Sequence, residues 1–153
     1  RTGHIVFPAV SAVGPDGVVY AVDIIKDILS AIAAREKEER VHGGVLHVVW
    51  ADLEREGSVS IPEKTLDVVF LVNTLFQVHD VPPVLAQASR LLKDKGRIVI
   101  VDWARTLLGA GPTEDELVDW PAIEKWARAS GFVVQESGGH GKYHRYVVLF
   151  RHT

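Results

Sequence analysis

Two kinds of apolar pattern alternate along the chain. Short runs rich in valine and isoleucine predict strands, whereas stretches in which apolar residues recur every three or four positions predict helices. The first four predicted strands are residues 17–23, 45–52, 66–73 and 97–103. The third of these runs is almost wholly apolar, which predicts a strand buried on both faces within a parallel sheet that helices cover.

The helical pattern predicts four helices, at residues 4–13, 24–40, 81–95 and 121–130. One face of the second helix carries Ile24, Ile28, Ala31 and Ile32. That spacing predicts that this face is buried. Asp80 and Asp119 are suited to N-cap the third and fourth helices, and Gly96 is suited to end the third.

Two further strands are predicted at residues 132–137 and 143–151, joined by the segment GGHGK. A connection this short favours a hairpin, so the last strand is expected to be antiparallel. The whole order predicts one open, doubly wound α/β domain over residues 1–153. Ligands of such sheets bind at the carboxyl ends of the strands, so function is expected at Asp23, Asp52, Asn73 and Asp102.

Composition narrows the classes of function. The chain has 153 residues, a net charge of −3 and no basic block, which argues against nucleic acid as a partner. It has no cysteine, so disulfides, thiolate ligands and a cysteine nucleophile are excluded. No apolar run approaches the roughly 18 residues of a membrane span, and we recognise no signal peptide, so a cytoplasmic location is expected. His140 and His144 are four residues apart but across a hairpin, so we expect no metal site.

Five segments of the chain, taken together, resemble a known family. They are TGHIVFPAV, VGPDGVVYAVDI, LDVVFLVNTLFQVHD, LLKDKGRIVIVDW and the closing SGFVVQES…YHRYVVLFR. In this order they resemble the class I S-adenosylmethionine-dependent methyltransferases, and most closely the ubiquinone/menaquinone C-methyltransferase-like branch. The resemblance implies a Rossmann-like methyltransferase sheet with a closing antiparallel hairpin strand. It also implies S-adenosylmethionine as cofactor and a small-molecule methyl acceptor.

The resemblance also bears on the start of the chain. Family members carry a glycine-rich turn after their first strand, and Gly3 matches the last glycine of that turn. Arg1 falls where the second glycine usually stands. The resemblance therefore implies that the domain is N-terminally incomplete. Without the first strand, two neighbouring strands would have unpaired edges, through which the chain could form a homodimer.

Four residues near the first two strand ends are candidates for binding the nucleoside part of the cofactor. Asp23 can accept hydrogen bonds from both ribose hydroxyls, or simply cap the next helix. The resemblance makes Ile24 a contact of the adenine face, although it is equally suited to helix core. By the same resemblance Asp52 accepts from the adenine amino group with Leu53 beside the ring, whereas the alternative for Asp52 is a loop-initiating aspartate.

The resemblance places further cofactor contacts at Asn73, Thr74 and Leu75. Phe76 and His79 follow, where they would face a substrate pocket. A histidine can serve as a base near neutral pH, so His79 is the candidate catalytic residue if the acceptor must lose a proton. The alternative for His79 is an exposed loop histidine.

A second group of residues could line the acceptor side, namely Trp103, Arg105, Tyr143 and His144. The simpler interpretation is that they are structural rim and core residues. Two other functions also stay open. A nicotinamide-dependent dehydrogenase would require a complete G-x-G-x-x-G turn, which the chain lacks. A non-catalytic methyltransferase-like domain would keep the fold and serve binding or dimerisation.

Overall fold

Helices and strands alternate along the computed structural model, which describes residues 3–152. They fall into two units, Arg1–Ser60 (unit 1) and Ile61–Thr153 (unit 2). Within the described residues, no helix is both long enough and apolar enough to cross a membrane.

Unit 1 is a two-stranded parallel sheet with two helices. In chain order its elements are α1 (Val6–Val13), β1 (Val19–Asp23), α2 (Lys26–Glu38) and β2 (Leu46–Trp50). The strands pair in register from Val19 opposite Leu46 to Asp23 opposite Trp50. Phe7, Ala21, Ile32 and Leu46 form its buried core. Each element contributes one of these side chains, so burial of apolar surface holds the four elements together.

Unit 2 is a four-stranded mixed sheet. Its elements are β3 (Leu66–Val72), a short 3-10 helix (Leu75–Gln77), α3 (Val81–Leu91), β4 (Leu92–Trp103), a second 3-10 helix (Glu114–Glu116), α4 (Trp120–Ala129), β5 (Phe132–His140) and β6 (His144–Arg151). The strand order is β3-β4-β6-β5. β3 and β4 are parallel, whereas β6 is antiparallel to both β4 and β5. The mixed α/β fold and the closing antiparallel hairpin are therefore confirmed.

The prediction that the strand at 66–73 is buried on both faces is wrong. Val68 and Phe70 are 39% and 49% exposed, whereas Leu71 is buried opposite Ile100 of β4. Val68 and Phe70 lie on the same face of β3, which is exposed, whereas Leu71 lies on the other face, which joins the core. An apolar run alone does not distinguish a strand with one exposed face from a strand buried on both faces.

The third helix is shorter than predicted. α3 ends at Leu91 and β4 begins at Leu92, so the residues before Gly96 belong to the strand. Gly96 does not have a positive φ and is no helix cap; the left-handed residue is Lys95, at φ 61°. A Cβ at Gly96 would approach Leu92 Cδ2 and the Lys93 carbonyl at 2.9 Å, so the glycine permits close packing against these two residues.

The start and the buried face of the second helix also differ from expectation. α2 begins at Lys26, so Ile24 precedes it and is 52% exposed rather than core. Ala31 is exposed, and Leu29 is buried together with Ile32. The buried stripe is therefore rotated relative to the predicted one.

The two predicted helix caps behave differently. Asp119 precedes α4, and its Oδ1 accepts a hydrogen bond from the Ala122 amide at 3.0 Å, which confirms the cap. Asp80 does precede α3, but its side chain accepts no hydrogen bond from the first turn. The N-terminal turn of α3 contains Pro82 and Pro83, which donate no backbone hydrogen bond.

Candidate functional site

In unit 1, two carboxylates follow neighbouring strands at the same end of the sheet. Asp23 is the last residue of β1 and lies opposite Trp50, the last residue of β2. The Ala51 amide donates to the Asp23 carbonyl at 3.1 Å, which continues the pairing past the end of β2. Asp52 follows directly, so β1 and β2 bring both aspartates to one edge, as predicted for the carboxyl ends of parallel strands.

Each of these carboxylates forms one hydrogen bond in its own turn. Asp23 Oδ1 accepts from the Ile25 amide at 2.9 Å, and Asp52 Oδ1 accepts from the Glu54 amide at 3.0 Å. Both residues are half-buried. A carboxylate has about four acceptor positions, so each keeps capacity for a ligand hydroxyl or amino group. The local turn and a nucleoside can therefore share the same carboxylate.

Apolar side chains are exposed beside these carboxylates. Ile24 and Trp50 are 52% and 54% exposed, and Ile25 is exposed too. The Trp50 Nε1–H donates to the Ile24 carbonyl at 2.8 Å, which joins the segment after β1 to the end of β2. Leu53, the predicted partner of the adenine ring, is half-buried. Carboxylate acceptors beside exposed apolar surface suit a ligand with both hydroxyl groups and a flat ring.

Gly3 lies one turn before α1 and is buried in a conformation that favours glycine. Its φ is 86°, and a Cβ there would lie 2.7 Å from the ring of Phe7. The Phe7 amide donates to the Gly3 carbonyl at 3.3 Å. The glycine is therefore required for packing, whether or not it also contacts a ligand. Arg1, expected at the second glycine position, lies outside the described residues.

In unit 2, Asp102 near the end of β4 is fully buried. Its Oδ2 accepts from the amides of Leu75 at 2.9 Å and Phe76 at 3.4 Å, and its Oδ1 accepts from the Trp103 amide at 2.8 Å. Burial raises the pKa of the Asp102 carboxyl, and these backbone hydrogen bonds and nearby His144 oppose that rise. Asp102 thus fixes the segment after β3 against the end of β4.

Asn73, directly after β3, joins three parts of unit 2. Its amide donates to the Val101 carbonyl at 2.8 Å, and its carbonyl accepts from Gln77 Nε2 at 2.7 Å. Its side-chain Oδ1 lies 2.9 Å from His144 Nε2 at the start of β6. Asn73 has φ 51°, a left-handed conformation that asparagine tolerates better than most residues.

His144 packs beside a small cluster of aromatic rings centred on Trp103. Its ring centroid lies 4.4 Å from that of Trp103, which in turn lies 6.4 Å from both Phe76 and Tyr143. The antiparallel register, with Trp103 opposite His144, brings these residues together. The Asn73–His144 contact joins residues 71 positions apart, so the sequence pattern alone did not predict it.

The other predicted site residues of unit 2 lie on the segment between β3 and α3. The Thr74 hydroxyl donates to the Val72 carbonyl at 3.3 Å, and Leu75 is buried at the start of the 3-10 helix. His79 is exposed just before α3. Its part in proton transfer stays a prediction.

Comparison with known proteins gives a consistent result. Residues 2–100 match the family model described as "Methyltransferase domain". The chain is 30% identical over 125 residues to nocamycin O-methyltransferase of Saccharothrix syringae, a match that covers 82% of this chain and 38% of that protein. The chain therefore spans well under half the length of this curated relative.

Solved structures show the same fold. A SAM-dependent methyltransferase from Aquifex aeolicus superposes with a TM-score of 0.80 at 20% identity, over 95% of this chain and 75% of that one. Magnesium protoporphyrin IX methyltransferase from Synechocystis, solved with bound SAH, gives a TM-score of 0.75 at 18% identity, over 98% and 70% of the two chains.

Proposed function

The chain belongs to the methyltransferase domain family, and we propose from this that it binds S-adenosylmethionine and transfers a methyl group to a small-molecule acceptor. The pair of carboxylates at the ends of β1 and β2 supports the proposal most strongly. Asp23 and Asp52 extend from adjacent strand ends, and each keeps acceptor capacity beyond its own turn. The likeness to the ubiquinone/menaquinone branch and the cytoplasmic location are further parts of the proposal.

In this proposal Asp23 accepts the ribose hydroxyls and Asp52 accepts the adenine amino group. Both fit, because one oxygen of each carboxylate already serves its turn and the other has no hydrogen bond within the described residues. Exposed Ile24 and half-buried Leu53 supply apolar contacts for the ring. Burying Ile24 against an aromatic ring would add to affinity, since removal of apolar surface from water is favourable.

S-adenosylmethionine, when bound, supplies a methyl group that its sulfonium charge already activates. The chain has correspondingly little covalent chemistry to perform, and its residues mainly bind and orient the reactants. In unit 2 we propose Asn73, Thr74 and Leu75 as further cofactor contacts. His79 is the proposed base for acceptors that must lose a proton.

Titration calorimetry with S-adenosylmethionine tests this function. We expect the chain to bind the cofactor, and Asp23→Asn to weaken binding about tenfold or more, since a charge-assisted hydrogen bond contributes roughly 1.5–3 kcal/mol. Asparagine keeps an oxygen for the Ile25 amide, so the turn after β1 survives. The matched control is Asp27→Asn, which removes an exposed carboxylate from the first turn of α2.

The alternative function gives a different result. A chain that is folded by circular dichroism but does not bind S-adenosylmethionine would refute the proposal and favour a non-catalytic domain. Equal weakening by Asp23→Asn and Asp27→Asn would refute the assigned role of Asp23.

A further inference from the structure

A cavity of about 520 Å³ opens in unit 2 beside the β5–β6 hairpin. One wall is formed by the glycine-rich end of β5 and the turn, including Gly138, Gly139 and Gly141. Ala104 and Arg105, which follow β4, also line the cavity. The amides of Ala104 and Arg105 both donate to the Tyr143 carbonyl, at 2.8 and 3.3 Å, which holds the segment after β4 against the hairpin.

The charged side chains that line this cavity are all basic. They are Arg105, Lys142 and Arg145, and His144 lies among them. Arg145 is neutralised by Glu124 of α4, with Nη2 and Oε1 2.9 Å apart. Across the part of the chain that the structure describes, neither Arg105 nor Lys142 forms an ion pair with a carboxylate. Both residues are exposed, and Lys142 Nζ lies 5.5 Å from the ring centroid of Tyr143, so both positive charges are available to an anion.

His144 belongs to both the cavity wall and the candidate site. His144 lines the cavity, its Nε2 lies 2.9 Å from Asn73 Oδ1, and its ring centroid lies 4.4 Å from that of Trp103. A molecule in the cavity would thus lie beside an imidazole that also contacts Asn73 and Trp103 of the candidate site.

We infer that this cavity holds an anionic group, a carboxylate or a phosphate, of the methyl acceptor. The inference rests on the proposed function, to which it adds the chemical class of the substrate. Arginine and lysine bind carboxylates and phosphates through charge-assisted hydrogen bonds, and the arginine fork can do so with two parallel bonds. The glycines in the cavity wall have no side chains, which leaves room for the anion. The acceptor is accordingly an acidic small molecule, with Arg105 and Lys142 as its binding residues.

Nuclear magnetic resonance titrations of the full chain test this inference with three probes. Benzoate and phenyl phosphate carry the two candidate anions, and benzamide is a neutral molecule of similar shape. We expect at least one anion to shift the amide signals of Gly138, Gly139 and Gly141 saturably, and benzamide to leave them unchanged. The anion with the lower dissociation constant shows whether the acceptor's anionic group is a carboxylate or a phosphate.

Two variants locate the binding. Arg105→Gln combined with Lys142→Gln is expected to raise the dissociation constant of the anion about tenfold or more, because two charge-assisted contacts are lost. The control, Lys37→Gln combined with Arg40→Gln, removes the same charge from exposed positions of unit 1 and should leave it unchanged. Gly139→Val adds bulk without changing charge. A Cβ at Gly139 meets no atom within 4 Å, so the variant should fold and bind the anion less tightly.

The outcomes separate the inference from the function on which it rests. If the chain binds S-adenosylmethionine but anions bind no better than benzamide, or the two double variants behave alike, the inference is wrong and the function stands. If anions bind in the cavity but S-adenosylmethionine does not bind, the anion site is real and its assignment to a methyl acceptor is overturned.

Discussion

Asp102 shows how one buried side chain can organise a site. Its carboxylate accepts main-chain hydrogen bonds from Leu75, Phe76 and Trp103. Burial nevertheless disfavours its charged form, and the net result is a raised pKa. Ionising Asp102 in this buried position therefore costs stability, while its accepted hydrogen bonds fix the segment after β3.

This raised pKa predicts the pH dependence of stability. Because the folded chain holds the Asp102 proton more tightly than the unfolded chain, the contribution of Asp102 to stability is fully present below the ordinary pKa of 3.8. It is lost as pH rises through the raised value. The advantage of the wild type over Asp102→Asn, measured as the difference in free energy of unfolding by urea, should therefore shrink as pH increases from about 4.

Since asparagine does not titrate in this range, the variant serves as the reference at each pH. A difference between wild type and Asp102→Asn that stays constant or grows with pH would contradict the raised pKa. Circular dichroism of the folded baselines shows whether both proteins keep the same secondary structure.

At the scale of elements, α4 offers a test of helix capping. The Asp119 carboxylate accepts from the Ala122 amide, which would otherwise lack an intrahelical partner. Asp119→Ala should lower the free energy of unfolding by about 1 kcal/mol, whereas Asp119→Asn should keep most of it, because asparagine caps as well as aspartate. Urea denaturation measures both. Equal losses of unfolding free energy in the two variants would show that the negative charge of Asp119, and not its capping hydrogen bond, stabilises α4.

The edge strand β3 leads to a prediction about self-association. β3 pairs with β4 alone within the described residues, and it exposes Val68 and Phe70. An apolar edge strand is a template for pairing with another chain, so we propose that two copies associate through β3. Phe70→Lys should then shift sedimentation velocity profiles from dimer towards monomer. A wild type that is monomeric at every concentration would refute this pairing.

Element types were predictable from sequence because local pattern determines them. The alternation of strand and helix, the Asp119 cap and the β5–β6 hairpin each depend on residues close in sequence. Burial of β3 was mispredicted, because the packing of other elements decides which face of a strand is covered, and an apolar run containing Val68 and Phe70 does not reveal that packing. The end of α3 was mispredicted because a glycine suits the C-terminus of a helix and also suits close packing of the backbone, here of Gly96 against Leu92 and Lys93.

In the candidate site, too, local features were predictable and long-range contacts were not. The neighbouring positions of Asp23 and Asp52 were predictable, since the carboxyl ends of parallel strands meet at one edge of the sheet whatever the side chains are. The Asn73–His144 contact and the Asp102 hydrogen bonds were not, because they depend on the register between β4 and β6 and on the path after β3. The basic cavity also depends on that hairpin register.

At the scale of the whole molecule, the central claim is that the strand ends of unit 1 bind the nucleoside of S-adenosylmethionine. The most direct test is a titration of the ¹⁵N-labelled chain with S-adenosylmethionine, followed residue by residue. We predict saturable shifts of the Ile24, Ile25 and Leu53 amides, with no shift at Val133, an exposed residue of β5. Saturable shifts that leave Ile24, Ile25 and Leu53 unchanged, or no shifts at all, would contradict the account.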